Sequence, residues 1–334
     1  MLSDKYPMTR RRFAALSLAG LASVQNRFAF AATSPTTWLP EPEEAGYIAT
    51  PQGRIWYRIN GKRHFSSGKT PLICLHGGPG ASHHYLLPIV DLSNERPVIF
   101  YDQLDCGLSD RPNKSENWTV DRFVGEINIV RDALGLSKIA LYGNSCGSTW
   151  IAPYAAQKTK GLQAVIFASP YLAPQPFLGD AAKLRAELPA DILATMEQHE
   201  EAGTTDSDAY HEAVFVWYQR HVCRNKPWPA YLMRTIELFN NDLYSHMWGP
   251  AEPKLLGTLK EFDARPMLAE IKCPSWYVCG EYDEMTPATT KAFADLTPGA
   301  TFTSIADASH TPHIEQREVF MRQARNFLNA NADS

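Results

Sequence analysis

Short apolar runs recur along the chain, and each ends near glycine, aspartate or proline. The runs are Pro71–Leu75, Val98–Tyr101, Ile139–Tyr142, Ala164–Ala168 and Trp276–Cys279. Continuous apolar runs of this length are typical of strands buried on both faces of a parallel sheet. Before them, two β-prone runs flank a Pro-Gln-Gly turn and predict a hairpin; they are Gly46–Thr50 and Arg54–Ile59.

Helical patterns alternate with these runs. Val120–Leu134 carries apolar residues at helical spacing. Strand alternating with helix predicts a doubly wound α/β sheet. Between about residues 171 and 265 the pattern becomes helical and aromatic-rich instead. We therefore expect a core of residues 33–170 and 266–334 and an inserted helical cap of residues 171–265, placed over the strand ends where ligands bind.

The first 32 residues have the pattern of an export signal. Three arginines at Arg10–Arg12 precede an apolar run, Ala14–Val24, which is too short to span a bilayer. Small residues follow at Ala29–Ala31. The consecutive arginines resemble a twin-arginine signal, so we expect cleavage after residue 32 and a periplasmic or secreted protein. The alternative is a basic tail or an N-terminal helix.

Composition narrows the functional classes. The chain has 334 residues, a formal net charge of −4 and six cysteines. This charge argues against nucleic acid as the main partner, and no apolar stretch is long enough for a membrane helix. The cysteines form no C-x-x-C pair that would indicate zinc or redox chemistry. We expect no cofactor and no metal, and a monomer or small homo-oligomer.

A nucleophile motif, Gly143–Gly147 (GNSCG), directly follows one predicted strand. The G-x-S-x-G pattern builds a tight strand–turn–helix that raises the serine hydroxyl above the sheet. The serine, Ser145, needs a base and an acid that orients the base. Asp283 and His310 follow in the order this architecture requires and are the predicted acid and base; Asp307 and His313 are the alternatives.

A glycine-rich segment follows the first long apolar run, at His76–Gly80 (HGGPG). In this architecture a loop at that place supplies one backbone N–H to the oxyanion, and the residue after the nucleophile supplies the other. The predicted donors are the amides of Gly78 and Cys146. Glycine lets the backbone approach the oxyanion without a side chain between them.

These motifs together resemble the proline iminopeptidase branch of the α/β hydrolases. The segments that carry the resemblance are HGGPG at 76–80, YDQ at 101–103, GNSCG at 143–147, GEYDEMTP at 280–287 and SH at 309–310. The resemblance covers nearly all of residues 45–330 and is especially close to tricorn-interacting aminopeptidase and amino-acid amidases. It implies an α/β-hydrolase fold with an inserted helical cap. It also implies a serine hydrolase that releases an N-terminal amino acid from peptides or amino-acid amides through an acyl-enzyme.

The same resemblance implies further site residues. Two glutamates of the family bind the free α-amino group, and by motif position they are Glu252 and Glu284. Tyr244 matches a tyrosine that assists at the oxyanion. Gly77 and Trp248 are the other expected substrate-binding positions. Trp217, Trp228 and Trp248 of the cap are candidates for the apolar wall of the pocket. In the alternative interpretation Glu252 is a solvated turn residue, Glu284 caps the next helix, and the cap tryptophans only pack the lid.

The chain departs from the family pattern at three positions. Cys146 stands where an aromatic residue is usual, which predicts a wider pocket beside Ser145 and a broader range of amino-acid amide or ester substrates. Ser148 and Asp105 stand in glycine positions. Aspartate tolerates a left-handed backbone better than most residues, so we expect the loop at Asp105 to keep its shape.

Two other functions fit the same fold. An esterase or lactonase would have the catalytic residues but would not recognise a free amine. A non-catalytic binding protein would usually have lost a member of the triad, and all three positions are filled here.

Overall fold

The computed structural model describes residues 40–333, and the predicted signal at 1–32 lies outside them. Within this range one eight-stranded sheet has the order β1-β2-β4-β3-β5-β6-β7-β8. The strands are β1 (Glu44–Thr50), β2 (Gly53–Asn60), β3 (Leu72–Leu75), β4 (Val98–Asp102), β5 (Ile139–Asn144), β6 (Leu162–Ala168), β7 (Ser275–Gly280) and β8 (Thr301–Ile305). The first two strands are antiparallel, and β3 to β8 are parallel.

Helices connect and cover these strands. The α-helices are α1 (Val120–Ala133), α2 (Cys146–Ala156), α3 (Pro174–Ala186), α4 (Ala190–Ala202), α5 (Asp208–Trp217), α6 (Ala230–Glu237), α7 (Asn241–Met247), α8 (Arg265–Leu268), α9 (Pro287–Leu296), α10 (Pro312–Glu315) and α11 (Arg317–Asn331). A π-helical turn, Tyr218–Val222, continues α5. Shorter 3₁₀ segments are Lys62–Ser66, His83–Asn94, Ser115–Asn117 and Thr258–Glu261.

The apolar runs form the central strands as predicted. Every residue of β3, β4, β5 and β7 is buried, because helices cover both faces of a parallel sheet. Parallel strands end at the same edge, so the loops after β3, β5, β7 and β8 meet there. These are the loops that contain the predicted oxyanion donor, nucleophile, acid and base.

The segment between β6 and β7 is largely helical and contacts that edge of the sheet. Asn240 N donates to the Gly80 carbonyl at 2.9 Å, and His310 N donates to the His221 carbonyl at 3.1 Å. The helical segment therefore holds both the glycine-rich loop and the histidine loop. The exact division into a core and a cap of residues 171–265 stays a prediction. No helix among residues 40–333 has the length and apolar character needed to cross a membrane.

Candidate active site

Ser145 occupies a strained turn between β5 and α2. Its φ of 57° and ψ of −127° are rare for a residue with a side chain. The turn is tight, because a Cβ at Gly147 would lie 2.3 Å from the Leu75 carbonyl oxygen. Ser148, one of the departures from the family, is accommodated because its Oγ donates to the Gly143 carbonyl at 2.8 Å. This geometry fits the nucleophile turn that the motif predicts, and Ser145, itself buried, lines the cavity.

The predicted acid and base form a buried pair. His310 Nδ1 lies 2.8 Å from Asp283 Oδ1, which also accepts from Met285 N at 2.9 Å. His310 and Ser145 line the same cavity, but no hydrogen bond joins their side chains in the described structure. Contacts between nucleophile and base are often long before substrate binds. The arrangement leaves the second nitrogen of His310 available to the serine.

The two alternatives to this pair have other surroundings. His313 is fully buried, with Nδ1 3.2 Å from the Tyr142 hydroxyl and Nε2 3.1 Å from the Tyr85 carbonyl. Burial lowers the pKa of His313 to about 3, so it stays neutral. Asp307 is exposed. Neither of the two lines the cavity.

The backbone donors of the oxyanion hole are available. Within residues 40–333, no group accepts a hydrogen bond from the amide of Gly78 or of Cys146, and Gly78 lines the cavity. Gly77, expected to bind substrate, is placed differently. Its amide donates to the Tyr85 hydroxyl at 2.8 Å, and a Cβ there would lie 2.7 Å from the Ser145 Cβ. Gly77 therefore packs beneath the nucleophile, and its N–H is already engaged.

A hydrogen-bonded strut, Tyr85–Asn144, connects three loops of the site. The Tyr85 hydroxyl accepts from Gly77 N and donates to Asn144 Oδ1 at 2.9 Å. Asn144 Nδ2 in turn donates to the carbonyls of His310 and Ala168, at 3.2 and 3.3 Å. The strut thus links the glycine-rich loop, the nucleophile turn and the histidine loop.

Glu284 is fully buried beside the catalytic pair. Its Oε2 accepts from Trp217 Nε1 at 2.8 Å, and its Oε1 lies 3.8 Å from His310 Nδ1 without a hydrogen bond. The helix that begins at Pro287 is capped by Thr286, whose side chain accepts from Thr289 N. The alternative role of Glu284 as a helix cap is therefore wrong.

Glu252 lines the cavity. Glu284 lies behind it, close enough for the charge of Glu252 to raise its pKa. No lysine or arginine of the described residues forms an ion pair with either carboxylate. Tyr244 also lines the cavity; its hydroxyl makes no hydrogen bond of normal geometry, although it is close enough to lower the pKa of Glu252. The alternative of Glu252 as a solvated turn residue does not fit this placement.

Burial and the charges of neighbouring groups shift the pKa values of Glu252, Glu284 and His310. Burial raises the pKa of Glu252, and burial together with the charge of Glu252 raises the pKa of Glu284. Burial alone would lower the pKa of His310, but Asp283, then Glu284 and Glu252, outweigh it and raise this pKa to about 9. A cation bound between the two glutamates would relieve their repulsion.

Two other expected residues lie behind the cavity wall. Trp248 is buried against Tyr171 and Phe177, and its Nε1 donates to the Glu252 carbonyl at 3.1 Å. It therefore supports Glu252 and does not line the cavity, which corrects its assignment to substrate binding. Cys146 is also fully buried and does not line the cavity, and the wider pocket expected beside Ser145 stays a prediction.

Asp105 adopts the left-handed conformation expected of it, with φ of 68°. Its carboxylate accepts from Asn113 N at 2.7 Å and from Trp118 Nε1 at 2.9 Å. These bonds stabilise a backbone conformation for which glycine is usual. The expectation for this loop is confirmed.

Much of the cavity wall was not predicted from sequence. The lining residues that were not predicted are Ala81, Tyr85, Asn144, Tyr218, Val222, Leu232, Thr235, Ile236, Phe239 and Thr311. Of these, Tyr218 and Val222 bound the π-helical turn, a conformation that often marks functional sites. Trp228, a predicted candidate for the apolar wall, also lines the cavity. Among residues 40–333, no cluster of three or more histidine, cysteine or carboxylate side chains is arranged to hold a metal ion.

Comparisons with known proteins agree with this architecture. The family model described as the alpha/beta hydrolase fold matches residues 70–316. A proline iminopeptidase of Heyndrickxia coagulans is 41% identical over 286 residues, which cover 85% of this chain and 98% of the relative.

Two solved structures are also similar. The structure of VinJ is 37% identical with a TM-score of 0.84, covering 87% of this chain and 99% of its own. That of a proline iminopeptidase from Mycobacterium smegmatis is 31% identical with a TM-score of 0.79 and the same coverage. The chain therefore belongs to the proline iminopeptidase family of the α/β hydrolases.

Proposed function

We propose that this protein is a serine hydrolase that releases the N-terminal amino acid from peptides or amino-acid amides through an acyl-enzyme. One observation carries the proposal. A nucleophile turn at Ser145 and the His310–Asp283 pair open onto the same cavity as Glu252. Glu252 and the buried Glu284 beside it have no ion-pairing lysine or arginine among the described residues. Such a site combines catalytic groups with carboxylates that can bind a cationic group of the substrate.

Acyl transfer follows from the geometry. His310 accepts the Ser145 proton as the oxygen attacks the substrate carbonyl, and Asp283 holds the imidazole orientation and stabilises its cationic form. The amides of Gly78 and Cys146 donate to the oxyanion; one such donor is typically worth about 3–4 kcal/mol in the transition state. His310 then protonates the leaving nitrogen, and water hydrolyses the acyl-enzyme by the same steps.

Amine recognition follows from two carboxylates that no lysine or arginine of the described residues neutralises. The α-ammonium of the substrate is attached to Cα, which is bonded to the scissile carbonyl carbon. When Ser145 attacks that carbon, the ammonium group is therefore close to Ser145. Glu252 and Glu284 accept hydrogen bonds from it, and charge-assisted bonds in a buried site are strong and selective. A blocked N-terminus has no positive charge and would leave both carboxylates without a partner.

Paired substrates test this proposal. We expect free aminoacyl p-nitroanilides to be cleaved at least about 100-fold more efficiently than their N-acetyl forms, because two charge-assisted hydrogen bonds are lost on acetylation. Equal kcat/KM for the two forms would favour an esterase or lactonase without amine recognition. Ser145→Ala should abolish both turnover and labelling by a fluorophosphonate, and retention of either would overturn the nucleophile assignment.

We also propose export to the periplasm or the medium. The support is the sequence of residues 1–32, with Arg10–Arg12 before a short apolar run. All six cysteines are unpaired in the structure, so an oxidising compartment would not be needed for folding. Replacing Arg10 and Arg11 by lysine should keep the protein in the cytoplasm as the uncleaved form, and processing that is unchanged would contradict a twin-arginine signal.

A further inference from the structure

The cavity is lined by both polar and apolar side chains. The polar ones include Glu252 and Tyr244, together with Ser145 and His310. The rest of the lining includes an apolar wall, defined here as Val222, Trp228, Leu232, Ile236 and Phe239. Leu232 and Ile236 are four residues apart on α6, with Phe239 just beyond its end, so a single helix face supplies most of this wall.

The apolar wall extends from Tyr244 to the base. Phe239 packs against the Tyr244 ring, with centroids 5.2 Å apart, and Val222 lies at the other side, next to the histidine loop. Thr311, the residue after His310, donates through its hydroxyl to the Val222 carbonyl at 2.9 Å. Trp228 is joined to the same segment, because its Nε1 donates to the Cys223 carbonyl at 2.9 Å. His310 protonates the leaving group in the proposed mechanism, so the departing part of the substrate lies against this wall.

The wall offers no partner to a negative charge. No lysine or arginine of the described residues lines the cavity. Arg234, on the exposed face of α6, pairs with Glu237 at 2.8 Å. The hydroxyl of Thr235, which lines the cavity beside the wall, is also engaged, because it accepts from Tyr85 N at 2.9 Å. A carboxylate placed here would lose hydration without compensation and would face the negative charges of the amine site.

From this arrangement we infer that the enzyme prefers substrates whose leaving group is apolar and uncharged next to the scissile bond. The class comprises aminoacyl amides and anilides, and peptides with an apolar second residue followed by further chain. Free dipeptides, whose carboxylate belongs to the leaving residue, are poor substrates. The inference rests on the proposed function and specifies the leaving-group side of the same site.

Two substrates that differ only in the carboxylate of the leaving residue measure the effect of that charge. Both substrates have the same N-terminal residue, chosen as the one whose p-nitroanilide the enzyme cleaves best. The second residue is leucine in one substrate, with a free carboxylate, and leucinamide in the other. Because an unpaired charge would be buried, we expect kcat/KM for the amide to exceed that of the acid by about 10- to 100-fold. Extending the acid by one glycine moves the carboxylate outward and should recover most of this difference.

A variant tests whether the wall causes the preference. Ile236→Lys adds a cation to the wall and should narrow the ratio between amide and acid. Glu237→Lys adds a cation on the exposed side of the same helix and should leave the ratio unchanged. Phe239→Lys repeats the test at a second wall position if Ile236→Lys lowers the melting temperature.

The outcomes separate this inference from the proposed function. If kcat/KM of the wild-type enzyme for the amide and for the acid differed by less than about twofold, the inference would be overturned. A preference for the free dipeptide would overturn it as well. The inference would also be overturned if Ile236→Lys and Glu237→Lys changed the ratio of amide to acid kcat/KM equally. Equal cleavage of free and N-acetyl p-nitroanilides would instead overturn amine recognition, while the ratio of amide to acid would still report on the leaving-group side.

Discussion

Two buried histidine–aspartate pairs in this protein have nearly the same geometry and different surroundings. His83 Nδ1 lies 3.0 Å from Asp102 Oδ1, and His310 Nδ1 lies 2.8 Å from Asp283 Oδ1. Both histidines and both aspartates are buried. Only His310 lines the cavity that contains Ser145. The distance within a pair therefore does not distinguish a catalytic pair from a structural one.

The surroundings make the distinction. His83 is stacked against Trp56, with ring centroids 4.5 Å apart. Asp102 also accepts from the backbone amides of His83 and Leu108, at 2.7 and 2.8 Å. Asp283 Oδ2, in contrast, has no hydrogen-bond partner within the described chain. The structural pair is fully satisfied, whereas the catalytic pair retains electrostatic strain beside two further carboxylates.

The largest expected effect is on turnover. His310→Ala should lower kcat by at least about 10,000-fold, because the serine loses its base. His83→Ala should lower the melting temperature and leave most of the activity of the folded fraction. Steady-state kinetics with active-site titration measures both. Loss of turnover in folded His83→Ala with retention in His310→Ala would reverse the roles of the two pairs.

The next effect is on stability, and here the structural pair matters more than the catalytic pair. Asp102→Ala leaves buried donors without an acceptor and should lower the free energy of unfolding by about 3–5 kcal/mol. Asp283→Ala should cost less, because it also removes repulsion from neighbouring carboxylates. Urea denaturation of the two variants compares them, and equal losses would show that the second pair is not under electrostatic strain.

The pH dependence sharpens the comparison further. His310 must be neutral to act as a base, and its pKa is raised to about 9, so kcat/KM should rise with pH through the neutral range. Glu284→Gln removes one of the charges that raise this pKa and should move the acid limb to lower pH. A simple p-nitrophenyl ester as substrate keeps amine binding out of the profile. An acid limb at the same pH in Glu284→Gln would contradict the effect of the Glu284 charge on the pKa of His310.

The smallest expected effect concerns the Tyr85–Asn144 strut. Tyr85→Phe removes the hydroxyl that bonds Gly77 N and Asn144, and kcat should fall by roughly tenfold with little change in KM. Tyr101→Phe is the matched control, because the buried Tyr101 hydroxyl has no hydrogen-bond partner in the described chain. Equal kinetics for the two variants would show that the strut does not position the site.

The sequence was sufficient where local pattern determines structure. Each predicted strand run lies in a strand of the sheet, because strands buried on both faces leave a continuous apolar signal. The relative positions of Ser145, Asp283 and His310 follow from strand order, since parallel strands bring their carboxyl ends to one edge. The conformation of Asp105 was also predicted, from its residue type together with the glycine position that it occupies in the family pattern.

The sequence was insufficient where side-chain direction depends on distant packing. Trp248 and Gly77 were placed in substrate binding, yet one supports Glu252 from behind and the other packs beneath Ser145. Tyr85 was not assigned to the site, and the bond from Trp217 to Glu284 was not predicted, because the bonded partners are 59 and 67 residues apart in the chain. No local pattern marks contacts of that kind.

The most direct test of the central claim measures amine selectivity without the two glutamates. In the double variant Glu252→Gln and Glu284→Gln, kcat/KM for free aminoacyl p-nitroanilides should fall by about 100-fold or more, while that for N-acetyl forms changes little. The ratio between the two substrates should therefore approach one. Equal losses for both substrates, or an unchanged ratio, would contradict a site built to recognise the free amine beside Ser145.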